Sequence, residues 1–239
     1  MGSINKASCR LKASLLSNGV DFEKEPEGIG QSVKEEYRAL FDARLSSEHV
    51  MNLPPELVLP GEVVAKTIYR PNSTFLVIET RECPRIVDKK SGDVVAEVSF
   101  PSRPNYYNLR TSSGTPMRQV GQLLGLNCLG IIINSYCARW EGKKYCKFCN
   151  INPTTNQKSD NIRDFNEIDE TVRVAHDEGV FNLVNLTGGT WSDPEEEFTS
   201  YLQVARNIKQ IMGLERLPGV SSINPPDLEM IARYENMLK

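Results

Sequence analysis

After residue 120, short apolar runs alternate with longer amphipathic segments. In chain order they are CLGIIIN, DFNEIDETVRVAHDEG, FNLVNLTGG, DPEEEFTSYLQVARNIKQIMG, LPGVSSIN and PDLEMIARYENMLK. The apolar runs are typical of buried strands, and the longer segments have the spacing of helices. Asp193 and Pro194 mark one helix start, and Gly179 marks one helix end. This alternation predicts parallel βα units. We therefore expect residues 121–239 to form an α/β domain of three such units.

The first 120 residues have a different pattern. Residues 3–18 and 32–48 show helical spacing, whereas β-branched runs separated by turn-like residues predict a small antiparallel sheet over about 60–100. A segment rich in Ser, Pro, Asn and Gly then leads to residue 120. The sequence thus predicts an N-terminal α+β segment, residues 1–120, ahead of the α/β domain.

Charge and hydropathy exclude some functional classes. The formal charge of −3 and the pI of about 5.6 offer no broad cationic surface, which argues against general nucleic-acid binding. The longest candidate apolar run, CLGIII, is too short to cross a bilayer. We expect a cytoplasmic protein without a membrane span. In a reducing compartment, metal binding or redox chemistry is the more common use of clustered cysteines than a structural disulfide.

Three of the six cysteines follow the first predicted strand closely. Cys137, Cys146 and Cys149 have the spacing C-x8-C-x2-C in YCARWEGKKYCKFCN. A [4Fe-4S] cluster normally takes four thiolates, so three would leave one iron open to bind a substrate or cofactor.

Other uses of these cysteines remain open. Cys128 could supply a fourth ligand, which would make a zinc-binding structural or interaction module or an electron-transfer iron–sulfur protein. A disulfide between Cys146 and Cys149 is a further possibility. The two histidines, His49 and His176, lie far from the loop in sequence.

Three features together resemble the radical S-adenosylmethionine superfamily. They are the three-cysteine loop after the first strand, Phe148 immediately before the last cysteine in CKFC, and the glycine pair that ends the next strand in NLTGGTW. The resemblance covers residues 121–239. It implies that the three thiolates hold a [4Fe-4S] cluster and that S-adenosylmethionine chelates the fourth iron. One electron from an external donor then cleaves the cofactor to methionine and a 5′-deoxyadenosyl radical, which abstracts hydrogen from a substrate.

The resemblance also implies cofactor contacts. Phe148 is expected near the adenine, and the carbonyls of Gly188 and Gly189 near the cofactor ammonium. Thr190 stands where the family pattern has Glu, so a carboxylate is missing there. The cysteine loop is also longer than the commonest C-x3-C-x2-C form.

The end of the third strand offers two more polar residues. Ser222 and Asn224 could hydrogen-bond the cofactor or substrate, because the carboxyl ends of barrel strands carry the functional groups. No catalytic side chain is assigned.

The implied fold is a partial, three-unit radical SAM-type parallel βα barrel. The family core has about twice as many units, so we expect either a fragment or a chain whose remaining elements come from a partner. An uncovered sheet edge also predicts self-association. The sequence identifies neither the substrate nor the reaction subtype.

Overall fold

A computed structural model of the protein describes residues 5–27, 29, 52–147, 149, 151, 161–223 and 228–238. The described residues up to Arg103 form one compact unit, and those from Pro104 onward form a second. The sequence placed this division after residue 120. Residues 104–120 belong with the second unit because the hydroxyl of Tyr106 donates to the Gly121 carbonyl (2.9 Å), and the hydroxyl of Tyr107 accepts from the Leu123 amide (2.8 Å).

In its described residues, the first unit contains one helix and six strands. Helix α1 (Lys6–Asn18) is capped by the Asn5 side chain, which accepts from the Ser8 amide, and ends at Gly19 with φ +73°. The strands are β1 (Asp21–Phe22), β2 (Glu56–Leu59), β3 (Val63–Lys66), β4 (Phe75–Ile78), β5 (Arg85–Asp88) and β6 (Val94–Glu97).

These strands form two sheets. The first has the order β1-β4-β5-β6, and the second is the hairpin β2-β3. All pairs are antiparallel except β1 with β4, so the predicted antiparallel sheet is present but divided, with one parallel strand added. The helix predicted over residues 32–48 lies outside the described residues.

The second unit alternates strands and helices. The elements in the part that the structure describes are a 3₁₀ turn (Asn105–Asn108), α2 (Met117–Val120), β7 (Gly121–Leu124), β8 (Cys128–Ile132), a 3₁₀ turn (Ala138–Trp140), α3 (Phe165–Asp177), β9 (Leu183–Thr187), α4 (Pro194–Ile211), β10 (Gly219–Ser221) and α5 (Leu228–Leu238). Strands β8, β9 and β10 and the helices after them lie where the sequence placed them. The sequence did not predict β7.

These strands form one sheet of order β10-β9-β8-β7. Strands β8, β9 and β10 are parallel, whereas β7 pairs antiparallel with β8. Among the described residues the sheet ends at β7 and β10, so the partial barrel stays a prediction. No helix in the described part of the chain is both long and apolar enough to cross a membrane.

One face of this sheet carries the core of the unit. Side chains at alternate positions, such as Leu129 and Ile131 on β8 and Val184 and Leu186 on β9, are buried with helix residues including Ile168. Because side chains alternate along a strand, the residues between them point to the opposite face.

The predicted signals mark the start of α4 and the end of α3, and Asp164 adds a cap that the sequence did not predict. The Asp164 side chain accepts from the Asn166 amide at the start of α3, and the Asp193 side chain accepts from the Glu195 amide at the start of α4, with Pro194 in the first turn. Gly179, with φ +71°, follows the end of α3. The caps fix where α3 and α4 begin, which is the edge of the sheet where β8 and β9 end.

Candidate functional site

The cysteine loop begins as a continuation of strand β8. The Ile133 amide donates to the Thr187 carbonyl (2.8 Å), and the Gly189 amide donates to the Asn134 carbonyl (2.9 Å). The Ala138 amide then donates to the Thr190 carbonyl (2.8 Å). These backbone bonds place the first part of the loop, including Cys137, alongside the residues that follow β9.

Gly188 and Gly189 are required for this close approach. A Cβ atom on Gly189 would lie 1.8 Å from the Tyr136 carbonyl oxygen and 2.8 Å from the Cα of Cys137. A Cβ atom on Gly188 would lie 2.9 Å from both the amide nitrogen and the carbonyl oxygen of Asn134. Real Cβ atoms do not come that close to backbone, so any other residue at Gly189 would push the cysteine loop away. The structure thus brings together the glycine pair and the first predicted metal ligand.

Asn134 fixes the base of the loop. It is fully buried, and its side-chain oxygen accepts from the Tyr136 amide (3.0 Å) and from the Asn161 amide (2.9 Å). The role of Asn134 was not predicted from the sequence. The only signal was an Asn directly after an apolar run, which is also common in ordinary turns.

The middle of the loop is folded back on itself. The Lys144 amide donates to the Arg139 carbonyl (2.9 Å), and Trp140 and Tyr145 stack with ring centroids 4.2 Å apart and an interplanar angle of 12°. The hydroxyl of Tyr136 donates to a carboxylate oxygen of Glu141 (2.6 Å).

None of the three predicted ligands forms a disulfide. Cys137 and Cys149 are half-buried and Cys146 is exposed. The Cys149 amide donates to the Cys146 carbonyl (3.0 Å), which closes the x2 turn. In the described residues no three His, Cys, Asp or Glu side chains converge on one metal position, so the thiols do not meet at one point here. As a donor set they fit an iron–sulfur cluster, because three cysteines outside any disulfide lie on one loop and thiolates are the usual ligands of such clusters.

Cys128 and His176 lie away from the loop. Cys128 is the first residue of β8, whereas the loop follows Ile132 at the other end, about 13 Å along the strand. Burial raises the pKa of the Cys128 thiol, which disfavours the thiolate needed for metal binding. His176 is in the last turn of α3, with its ring 6.3 Å from that of Phe181. His49 lies outside the described residues.

The structure describes two of the four remaining residues that were predicted to contact the cofactor or substrate. Thr190 is half-buried, with its carbonyl bonded to the loop, and Ser222 is exposed, with its amide donating to the Leu186 carbonyl (2.9 Å). Phe148 and Asn224 lie outside the described residues.

The Trp191 amide donates to the buried Glu197 carboxylate (3.1 Å). This gives that acid a structural role at the start of α4.

A polar cavity of about 210 Å³ lies at the carboxyl end of β8. Its lining includes Ser135, Asn161, Arg163 and Glu167. Burial disfavours the Glu167 carboxylate, but hydrogen bonds from Ser113 and Thr115 and the nearby Arg163 guanidinium outweigh it, so the pKa of Glu167 lies below its ordinary value. The acid therefore carries a negative charge at neutral pH.

Comparison of the chain with protein-family profiles, with curated proteins and with solved structures finds no match. Function is therefore inferred from the chemistry of the site.

Proposed function

We propose that this protein is a radical S-adenosylmethionine enzyme. Cys137, Cys146 and Cys149 would hold a [4Fe-4S] cluster with one open iron, and the ends of β8, β9 and β10 would form the cofactor site. The observation that carries the proposal is the contact between the glycine pair and the cysteine loop. It joins the two motifs on which the resemblance rests, at the carboxyl ends of neighbouring parallel strands, where α/β proteins bind ligands.

The chain's own residues would bind the cluster and S-adenosylmethionine and orient them. Bound cluster and S-adenosylmethionine supply the reductive cleavage that yields methionine and a 5′-deoxyadenosyl radical. The absence of side chains at Gly188 and Gly189 lets the cysteine loop pack against them, and their carbonyls are the proposed contacts for the cofactor ammonium. Thr190 offers a hydroxyl and no carboxylate, so the cofactor ammonium would depend on backbone carbonyls. Ser222, exposed at the end of β10, could hydrogen-bond the cofactor or the substrate.

The alternatives need a fourth protein ligand. A zinc module or a four-thiolate electron-transfer centre would use Cys128, which lies at the opposite end of β8 from the loop. His176 also lies far from the loop, in the last turn of α3. Neither Cys128 nor His176 therefore lies beside the loop to serve as a fourth ligand, and the proposal assigns the fourth position to S-adenosylmethionine.

The test is anaerobic reconstitution of the full chain with iron and sulfide, followed by reduction and EPR spectroscopy with and without S-adenosylmethionine. We expect a [4Fe-4S]⁺ signal that changes when the cofactor is added. Cys137→Ala should lose the cluster. Cys128→Ala, the matched cysteine control, should retain both the cluster and the cofactor response.

Two results would reject the proposal. One is a protein that retains zinc and takes up no iron–sulfur cluster. The other is a cluster whose EPR signal ignores S-adenosylmethionine and which is lost in Cys128→Ala, because that cluster would have four protein ligands.

A further inference from the structure

The cysteine loop carries a compact basic surface, here called the basic patch: Arg139, Lys143, Lys144 and Lys147, with Tyr145 and Cys146 among them. All six side chains are exposed. Residues 139–147 have four basic side chains and one acidic one, a formal charge of +3. The rest of the chain must then carry −6 for the whole to total −3. The patch is therefore positively charged, whereas the chain as a whole is negatively charged.

The one acidic side chain in this segment is engaged elsewhere. Glu141 accepts a hydrogen bond from the hydroxyl of Tyr136, at 2.6 Å. Its carboxylate is thus held toward Tyr136 at the base of the loop, and the four exposed cations outnumber this one anion.

The patch is also held in one shape. The bond from the Lys144 amide to the Arg139 carbonyl closes the turn, and the stacking of Tyr145 on Trp140 holds the aromatic ring in place. Tyr145 nevertheless stays 42% exposed. A preformed surface loses little conformational entropy on binding, and an aromatic residue within a charged rim is typical of protein interfaces.

We propose that the basic patch is the docking surface for an acidic protein that carries single electrons. This inference rests on the proposed function, which requires one electron for each reductive cleavage. Cys146, the exposed thiol of the three, lies within the patch, so a bound carrier would be next to a cluster ligand. In the transfer the carrier loses one electron and the cluster gains it, passing from [4Fe-4S]²⁺ to [4Fe-4S]⁺, and no atoms are exchanged.

Charge favours an acidic protein over a nucleic acid as the partner. Opposite charges steer association and orient the two surfaces. A carrier with a small acidic face can match a patch of nine residues. RNA would extend its phosphates beyond a patch of nine residues in a chain whose net charge is −3, and phosphate binding needs many cationic contacts.

Binding can be measured without any enzymatic turnover. Oxidised flavodoxin, an acidic one-electron carrier, is titrated into the reconstituted full chain by calorimetry at about 20 mM and about 300 mM salt. The test variant is Lys144→Glu with Lys147→Glu. The control variant, Arg206→Glu with Arg216→Glu, reverses two exposed charges elsewhere and has the same net charge. We expect the test variant to weaken binding about tenfold at low salt and the control at most about twofold.

The second readout is the rate of cluster reduction in stopped flow. Reduced flavodoxin should reduce the cluster of the test variant about tenfold more slowly than that of the control. Photoreduced 5-deazariboflavin, a small uncharged reductant, should reduce both at the same rate. The milder pair Lys144→Gln with Lys147→Gln should give an intermediate effect, which separates charge from misfolding.

The outcomes distinguish the two proposals. A wild-type chain that takes up no cluster responsive to S-adenosylmethionine overturns the proposed function and this inference with it. A normal cluster together with flavodoxin binding that neither salt nor the test variant weakens overturns only the docking surface. Transfer RNA is the third probe. If it binds the wild type but not the test variant, and flavodoxin does not bind the wild type, the patch is a nucleic-acid-binding surface instead.

Discussion

Gly189 is the residue at which the arrangement of the site can be tested most directly. A Cβ atom there would lie 1.8 Å from the Tyr136 carbonyl oxygen. We predict that Gly189→Ala lowers the free energy of unfolding by about 1–3 kcal/mol, the usual cost of overpacking, and reduces iron incorporation. Urea unfolding and iron analysis after reconstitution would measure the two effects.

The matched control is Gly142→Ala in the same loop. A Cβ atom on Gly142 would meet nothing closer than 3.7 Å, from the Lys144 side chain. Its unfolding midpoint and iron content should equal those of the wild type. If Gly189→Ala behaves in the same way, the contact between the glycine pair and the loop is absent from the protein in solution.

At the level of secondary-structure elements, the loop of residues 111–115 is attached to helix α3 through acidic side chains. The hydroxyls of Ser113 and Thr115 donate to the Glu167 carboxylate, and Ser112 donates through its backbone amide to Glu170 (2.7 Å). Arg163 lies 3.7 Å from Glu167. The attachment therefore depends on an ionised, nearly buried acid.

We predict an acid-dependent loss of stability through Glu167. Because its pKa is lower in the folded protein than in the unfolded chain, its contribution is fully present above the unfolded pKa, about 4.5, and is lost as the pH falls through the folded pKa. Glu167→Gln should lower stability at pH 7 and flatten the pH dependence below about pH 5. Urea midpoints measured from about pH 3 to 7 test this, with the exposed Glu215→Gln as control. Parallel curves for wild type and Glu167→Gln would contradict it.

The sequence predicted those elements whose signals are local. Helices α3 and α4 were predicted because Asp193, Pro194 and Gly179 mark their ends and apolar residues recur along one face. Strand β7 was missed because its place depends on pairing with β8, and four residues give too little alternation to indicate a strand. The attachment of residues 104–120 was missed because Tyr106 and Tyr107 are buried within a segment that otherwise has the composition of a loop.

The same limit applies to the candidate site, where local patterns indicate residues but not the contacts between them. The spacing of the three cysteines makes them candidate ligands without any structure. The fit of Gly189 against Tyr136 depends on the register between β8 and β9, which no local pattern specifies. Asn134 was missed for the same reason, because its partner Asn161 is distant in sequence.

At the scale of the whole molecule, the outermost strand β10 leaves apolar surface exposed. Val220 on β10 is 66% exposed, and Leu228 at the start of α5 is 82% exposed. No strand pairs with the outer side of β10 among the described residues. An open edge beside apolar side chains is a template for pairing with another chain.

We predict that the protein associates with itself as its concentration rises. Sedimentation velocity should show a growing fraction of larger species, and Val220→Lys should reduce it, because a charge on an edge strand opposes pairing. Leu126→Lys, at a residue 40% exposed between β7 and β8, is the control and should change nothing. A wild-type chain that stays monomeric at all concentrations and melts cooperatively would contradict the prediction.

The backbone bonds between the cysteine loop and the residues after β9 also set an order of events during synthesis. Gly189 lies fifty-two residues after Cys137 in the chain. In a growing chain, all three cysteines therefore leave the ribosome before the glycines against which their loop rests. The loop can reach its final position only once β9 has paired with β8, so a cluster loaded onto the nascent chain would bind an unsupported loop. A cluster that is loaded after release of the chain would bind the assembled site.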